Sequence, residues 1–161
     1  TTIESMGFRP VRNLCGHGVA RYTIHCSPSV PNYADSKAAK LRPNMTIACE
    51  PFASDGKGMI DVDGTAEVFM LRRDLRPKDN LPAAIEKALQ QSDGLPFARR
   101  DLERWLGSLK AGEEALKVLR KKDLVDEYPP LCERTGVRIA QFEHTIFISE
   151  TGAEVITRLP Q

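Results

Sequence analysis

The four cysteines, Cys15, Cys26, Cys49 and Cys132, include no CxxC pair, which argues against a zinc ribbon and a thioredoxin-type redox centre. They read instead as reduced thiols of a cytoplasmic protein. No apolar run approaches the length needed to cross a bilayer, and the first residues lack the zones of a signal peptide. Net charge is nearly absent: 23 Lys and Arg oppose 22 Asp and Glu, giving +1. A balance of this kind gives no electrostatic reason to expect DNA or an anionic membrane as a partner. Internal repeats and low-complexity segments are missing as well.

What remains is an ordinary soluble composition, 41% hydrophobic and 28% charged, in 161 residues. That length suits one domain, or one core with an appendage. The first part reads as β-rich. Tyr22–Cys26 has strand-type residues, and Ser27–Asn32 is a loop by composition. Met45–Glu50 is a short apolar strand, and the turn at 54–58 is expected to return the chain to a second strand over Gly64–Leu71. After Arg72 the character becomes helical. Leu81–Gln91 is amphipathic, and Asp101–Leu109 and Glu113–Lys122 follow, with Leu102, Trp105, Leu106, Leu109, Leu116 and Leu119 facing inward. Pro129-Pro130 ends this block, and Ile139–Ile148 is a strand.

Glu50 and Glu143 are the informative positions, because each ends or interrupts an otherwise apolar strand. A carboxylate there must be paired, neutralised, turned to water or bound to a metal. His17 lies between Gly16 and Gly18, which strip bulk from around the imidazole and let the backbone approach closely. One imidazole and two carboxylates suit Zn, Co, Mn or Fe. His25 follows eight residues later, either as an acid–base or supporting group or as a half-exposed strand histidine. His144 directly follows Glu143 and points the opposite way in a strand.

The segment Asn13-Leu14-Cys15-Gly16-His17-Gly18-Val19-Ala20-Arg21-Tyr22-Thr23-Ile24-His25 resembles the block of type 2 methionine aminopeptidases that supplies a metal-binding histidine and a second active-site histidine. Ile47-Ala48-Cys49-Glu50-Pro51-Phe52-Ala53, Leu95-Pro96-Phe97-Ala98-Arg99-Arg100, Tyr128-Pro129-Pro130-Leu131 and Ala140-Gln141-Phe142-Glu143-His144-Thr145-Ile146 match further blocks of that family in order. The resemblance implies an α/β (α+β) fold: half of a pita-bread domain, with a curved antiparallel sheet, helices, and a winged-helix-like insertion. The catalytic half-domain would comprise 1–74 and 132–161, and the insertion 75–131. His17, Glu50 and Glu143 would be metal ligands, with Glu143 bridging two metals. His25 would contact substrate or the tetrahedral intermediate. Ile24, Phe52, Pro96 and Tyr128 would wall the pocket for the methionine side chain.

Complete members of that family carry an N-terminal half with two metal-binding aspartates and a further histidine, and nothing upstream of Thr1 supplies them. Asp55, Asp61 and Asp63 sit on the wrong turn to replace them. The complete enzyme would hold two divalent ions (Co, Mn, Fe or Zn), and this chain alone at most one, weakly. The expected partners are the N-terminal methionine of nascent polypeptides, an N-terminal half, partner chain or second copy, and the ribosome. The alternative is a non-catalytic pita-bread relative that binds RNA or ribosomes.

Overall fold

Apolar, β-prone runs flank Glu50 on both sides, and the chain changes sheets there. The structure, a computed structural model, describes residues 2–134 and 136–159. It comprises two units, Thr1–Val62 with Leu131–Gln161, and Asp63–Pro130. The first opens with a helical turn, α1 (Thr2–Ser5), then β1 (Arg9–Pro10), β2 (Cys15–Ala20), β3 (Thr23–Pro31), β4 (Met45–Cys49), β5 (Phe52–Ser54) and β6 (Asp61–Val62). The second contains β7 (Val68–Leu71), α2 (Ala83–Leu89), β8 (Phe97–Ala98), α3 (Arg99–Leu106), α4 (Leu109–Lys121) and β9 (Val125–Tyr128). The first then resumes with β10 (Leu131–Cys132), β11 (Ile139–Gln141), β12 (His144–Ile148) and β13 (Ala153–Val155).

In the first unit a five-stranded antiparallel sheet runs β13-β12-β4-β2-β3, beside a three-stranded sheet β1-β5-β11 and the pair β10-β6. The strand expected over Ile139–Ile148 is two strands in two sheets, β11 on β5 and β12 on β4. Residues 50–51 and 142–143 are left out of both ladders. Phe142 N–H donates to Pro51 O at 3.3 Å across that break.

Two other expectations are corrected. The stretch read as a loop after Cys26 is the second half of β3, which continues to Pro31. β3 is an edge strand, where Pro28 and Pro31 lack only an N–H that the ladder can spare. The hairpin return from Met45–Glu50 to Gly64–Leu71 does not form. β4 already carries β2 on one side and β12 on the other, so no edge remains for β7. β7 pairs with β8 and β9 inside the second unit instead.

The second unit is a three-stranded antiparallel sheet with three helices, and its core includes residues that the helical periodicity marks. Leu89, Leu102, Leu116, Leu119 and Leu124 are buried together with Phe69 and Phe97. Trp105 and Leu106 pack against them from partly buried positions. Leu109 does not: it is 60% exposed. Gly107 takes the left-handed conformation that ends α3, and the Ser108 hydroxyl accepts from Ala111 N–H to cap α4. Helix α4 therefore begins four residues before the expected Glu113, and Leu109 lies in its solvent-facing first turn. In the first unit, among the described residues, α1 is the only helix.

Candidate functional site

β2 brings His17 between two neighbours, and the flanking glycines make that possible. A Cβ on Gly16 would lie 2.2 Å from Ala48 O of β4, and one on Gly18 would lie 2.2 Å from Ser27 O of β3. Neither distance is tolerable, so these glycines are required by contact rather than by backbone conformation. His17 pairs with Ala48 on β4, two residues before Glu50. Its Nε2 lies 2.8 Å from Glu50 Oε1, with both side chains more than four-fifths buried. On the other flank, a register shift between His17 and Gly18 lets β3 bring His25 alongside. The two rings meet edge to face, centroids 4.3 Å apart at 89°. His25 thus approaches His17 from the neighbouring strand of a hairpin.

Electrostatics tie the fourth residue to this group. Burial pushes the Glu50 carboxyl above its ordinary pKa; His17 pulls against that rise, and the charge of Glu143 adds to it. Glu143 itself is exposed, and its Oε2 accepts from Gln141 Nε2 at 3.3 Å. Burial first, and the charge of His17 second, lower the pKa of His25, which favours neutral imidazole. His144 is turned away, with Nδ1 3.0 Å from Thr157 Oγ1.

Of the remaining residues assigned from sequence, Ile24 is half-buried on β3 beside His25, and Phe52 is half-buried two residues after Glu50. Pro96 and Tyr128 belong to the second unit. There Pro96 precedes β8, and the Tyr128 hydroxyl faces Met70 Sδ at 3.8 Å. Asp55 is occupied by Arg138, which contacts it through its backbone N–H and through Nε, both at 2.8 Å. Gln141 carries no signal of its own in the sequence. Only its place two residues before Glu143 could have suggested contact.

The donors are right in kind for a divalent cation and too few in number. Two tetrahedral ligands of one ion stand about 3.4 Å apart, whereas His17 and Glu50 touch each other directly at 2.8 Å. Among the described residues, no three His, Cys, Asp or Glu side chains converge where one ion could sit. What the arrangement provides is an imidazole–carboxylate pair, a second carboxylate of like charge and a second imidazole at its rim.

Residues 1–150 match the model of metallopeptidase family M24, and the chain belongs to that family. Family membership implies divalent metal cofactors. Among individual relatives, the methionine aminopeptidase of Archaeoglobus fulgidus is 34% identical over 157 residues, covering 97% of this chain and 52% of its own. The chain thus spans about half the length of this curated relative. A methionine aminopeptidase structure from Thermotoga maritima superposes with a TM-score of 0.53 at 26% identity, covering 98% of this chain and 39% of that one. The structure of a thermophilic Arx1 gives 0.74 at 11% identity, covering 98% and 43%, a likeness of fold alone. The fold is that of the pita-bread metallopeptidases. No helix among the described residues is long and apolar enough to cross a membrane.

Proposed function

We propose that this chain is the C-terminal half of a type 2 methionine aminopeptidase, a cytoplasmic enzyme that removes N-terminal methionine from nascent proteins, and that it is inactive without the N-terminal half. The observation that carries the reading is the meeting of His17, His25 and Glu50, with the Glu143 charge acting on Glu50. Family membership and the relatives' names support the reaction class.

In this reading His17, Glu50 and Glu143 would hold the divalent metal (Co, Mn, Fe or Zn). Bound divalent ions supply an activated water and stabilise developing negative charge. The chain's own residues do the rest. His25, neutral and at the rim of the cluster, accepts or donates a proton at the scissile peptide. Ile24 and Phe52 take the methionine side chain, and Gln141 orients the Glu143 carboxylate through its amide. Alone, the chain holds at most one ion weakly, because the donors counted above leave a second ion almost unligated. The N-terminal half, carried by the same polypeptide, a partner chain or a second copy, completes the set; the ribosome is a further partner. Residues 75–131 would form the winged-helix-like insertion.

A second reading is favoured by the incomplete donor set: a non-catalytic pita-bread relative that binds RNA or ribosomes. One experiment separates the two. Metal-dependent hydrolysis of a Met-peptide is measured with the chain alone and after adding an N-terminal half from a methionine aminopeptidase. Activity appearing only in the mixture is the expected result. Enzyme-like turnover by the chain alone sinks the claim of incompleteness, and no turnover in either case, with tight RNA binding, favours the second reading.

A further inference from the structure

Arg9, Arg12 and Lys57 line a concavity of the first unit, about 290 Å³ in volume, with Glu4 as its one acidic wall residue. None of these groups belongs to the proposed peptidase site. Two short segments carry the three cations, and hydrogen bonds stitch those segments together. Arg12 N–H donates to Gly58 O at 2.9 Å. Asn13 then donates to Ile60 O at 2.6 Å and accepts from Ile60 N–H at 2.9 Å. At Gly58, with φ +75°, a Cβ would stand 2.6 Å from Pro10 O, so the close approach of the segments depends on glycine.

The neighbouring carboxylate is already engaged. Glu133 accepts from Ser54 Oγ at 2.6 Å, from Gly58 N–H at 3.2 Å and from the Lys57 backbone N–H. Its oxygens serve the turn and the Ser54 hydroxyl, and Lys57 lines the concavity. Arg12 is held differently, its guanidinium 4.8 Å from the centroid of the Tyr33 ring. Among the described residues, none of the ion pairs includes Arg9, Arg12 or Lys57.

We propose that this concavity binds the phosphate group of a small phosphorylated ligand. Three cations against one carboxylate leave an excess of positive charge on a wall whose backbone is fixed before any ligand arrives. Guanidinium forks match the geometry of phosphate oxygens, and an ammonium adds a compact charge. The volume falls at the small end of small-molecule sites, suited to a phosphate with a modest substituent.

The test uses the 161-residue chain, ¹⁵N-labelled and titrated at constant ionic strength with inorganic phosphate and, separately, with pyrophosphate. Saturable amide shifts confined to 7–13 and 57–59 are expected, with pyrophosphate binding more tightly than phosphate. Arg12→Gln and Lys57→Gln each weaken binding about tenfold, the effect of removing one charge-assisted hydrogen bond, while Arg42→Gln leaves it unchanged. Should Arg12→Gln disturb the fold through the loss of its stack on Tyr33, Arg9→Gln and Lys57→Gln decide. Shifts that rise linearly without saturation at every exposed cation overturn the proposal, as does undiminished affinity in the Lys57 variant.

Discussion

Glu50 and Glu143 occupy facing breaks between two antiparallel strand pairs: Cys49 pairs with His144 on one side of the break, and Phe52 with Gln141 on the other. Each carboxylate sits where its strand leaves one sheet for another. Two like charges brought near each other in a part-buried setting raise the cost of ionising both. His17 offsets part of that cost at Glu50, and a divalent cation would offset far more.

That relationship predicts how the chain meets metal. Titrated with Co²⁺ and followed by visible absorption, the chain should bind no more than one ion. His17→Ala and Glu50→Gln should each weaken that binding at least about tenfold, and Gln141→Ala by roughly tenfold through the loss of Glu143 orientation. Two tight sites in the isolated chain, or variants that bind as the parent does, would count against the ligand assignment.

The glycines beside His17 make a separate prediction. Gly16→Ala drives a methyl group into Ala48 O at 2.2 Å, a backbone atom that cannot move without parting β2 from β4. Overpacking of this sort costs about 1–3 kcal/mol, and here it should also separate His17 from Glu50. Gly152→Ala is the control, with nothing within 4 Å of the added carbon. Urea unfolding should place the Gly16 variant well below the parent and the Gly152 variant beside it. Equal midpoints for the two would show that β2 tolerates displacement.

Much of this was legible in the sequence, and the misses share a cause. Leu102, Leu116 and Leu119 were identifiable as core because helical periodicity is local, a property of residues three and four apart. Glu50 and Glu143 also stood out, since a carboxylate in an apolar run is conspicuous in any context. Their facing positions were not, because that depends on which strands pair across a long stretch of chain. The misplaced hairpin partner of β4 has the same origin: a turn at 54–58 suggests a return strand but cannot reveal that β12 has taken the edge. Leu109 failed on a smaller scale. Gly107 and Ser108 form a strong stop-and-cap signal, and reading the helix through them placed an exposed leucine inside.

Leu109 and Leu116 therefore separate under truncation. Leu116 is fully buried, so Leu116→Ala should cost about 2–5 kcal/mol. Leu109→Ala, in an exposed first turn, should change stability by less than about 0.5 kcal/mol. Chemical denaturation of the two variants measures both, and a large loss at Leu109 would contradict the helix boundary.

The last prediction concerns acid. Arg73 grips Asp79 with both terminal guanidinium nitrogens, at 2.7 and 2.8 Å, and the Arg76 backbone N–H adds a third contact at 2.7 Å. These hydrogen bonds, Arg73's foremost, hold the Asp79 carboxyl well below the ordinary carboxylate range. A carboxyl depressed in the folded state stabilises that state while it is ionised. The contribution is fully present above the unfolded value of about 3.9 and is lost as pH falls through the lower folded value. Asp79→Asn should thus be less stable than the parent at neutral pH by a margin that holds down to about pH 5. Below that the margin should shrink, because the parent loses what the variant never had. Urea midpoints of both proteins between pH 7 and pH 2 test this, and a margin that stays constant to the lowest pH would mean that Asp79 is held by something other than its charge.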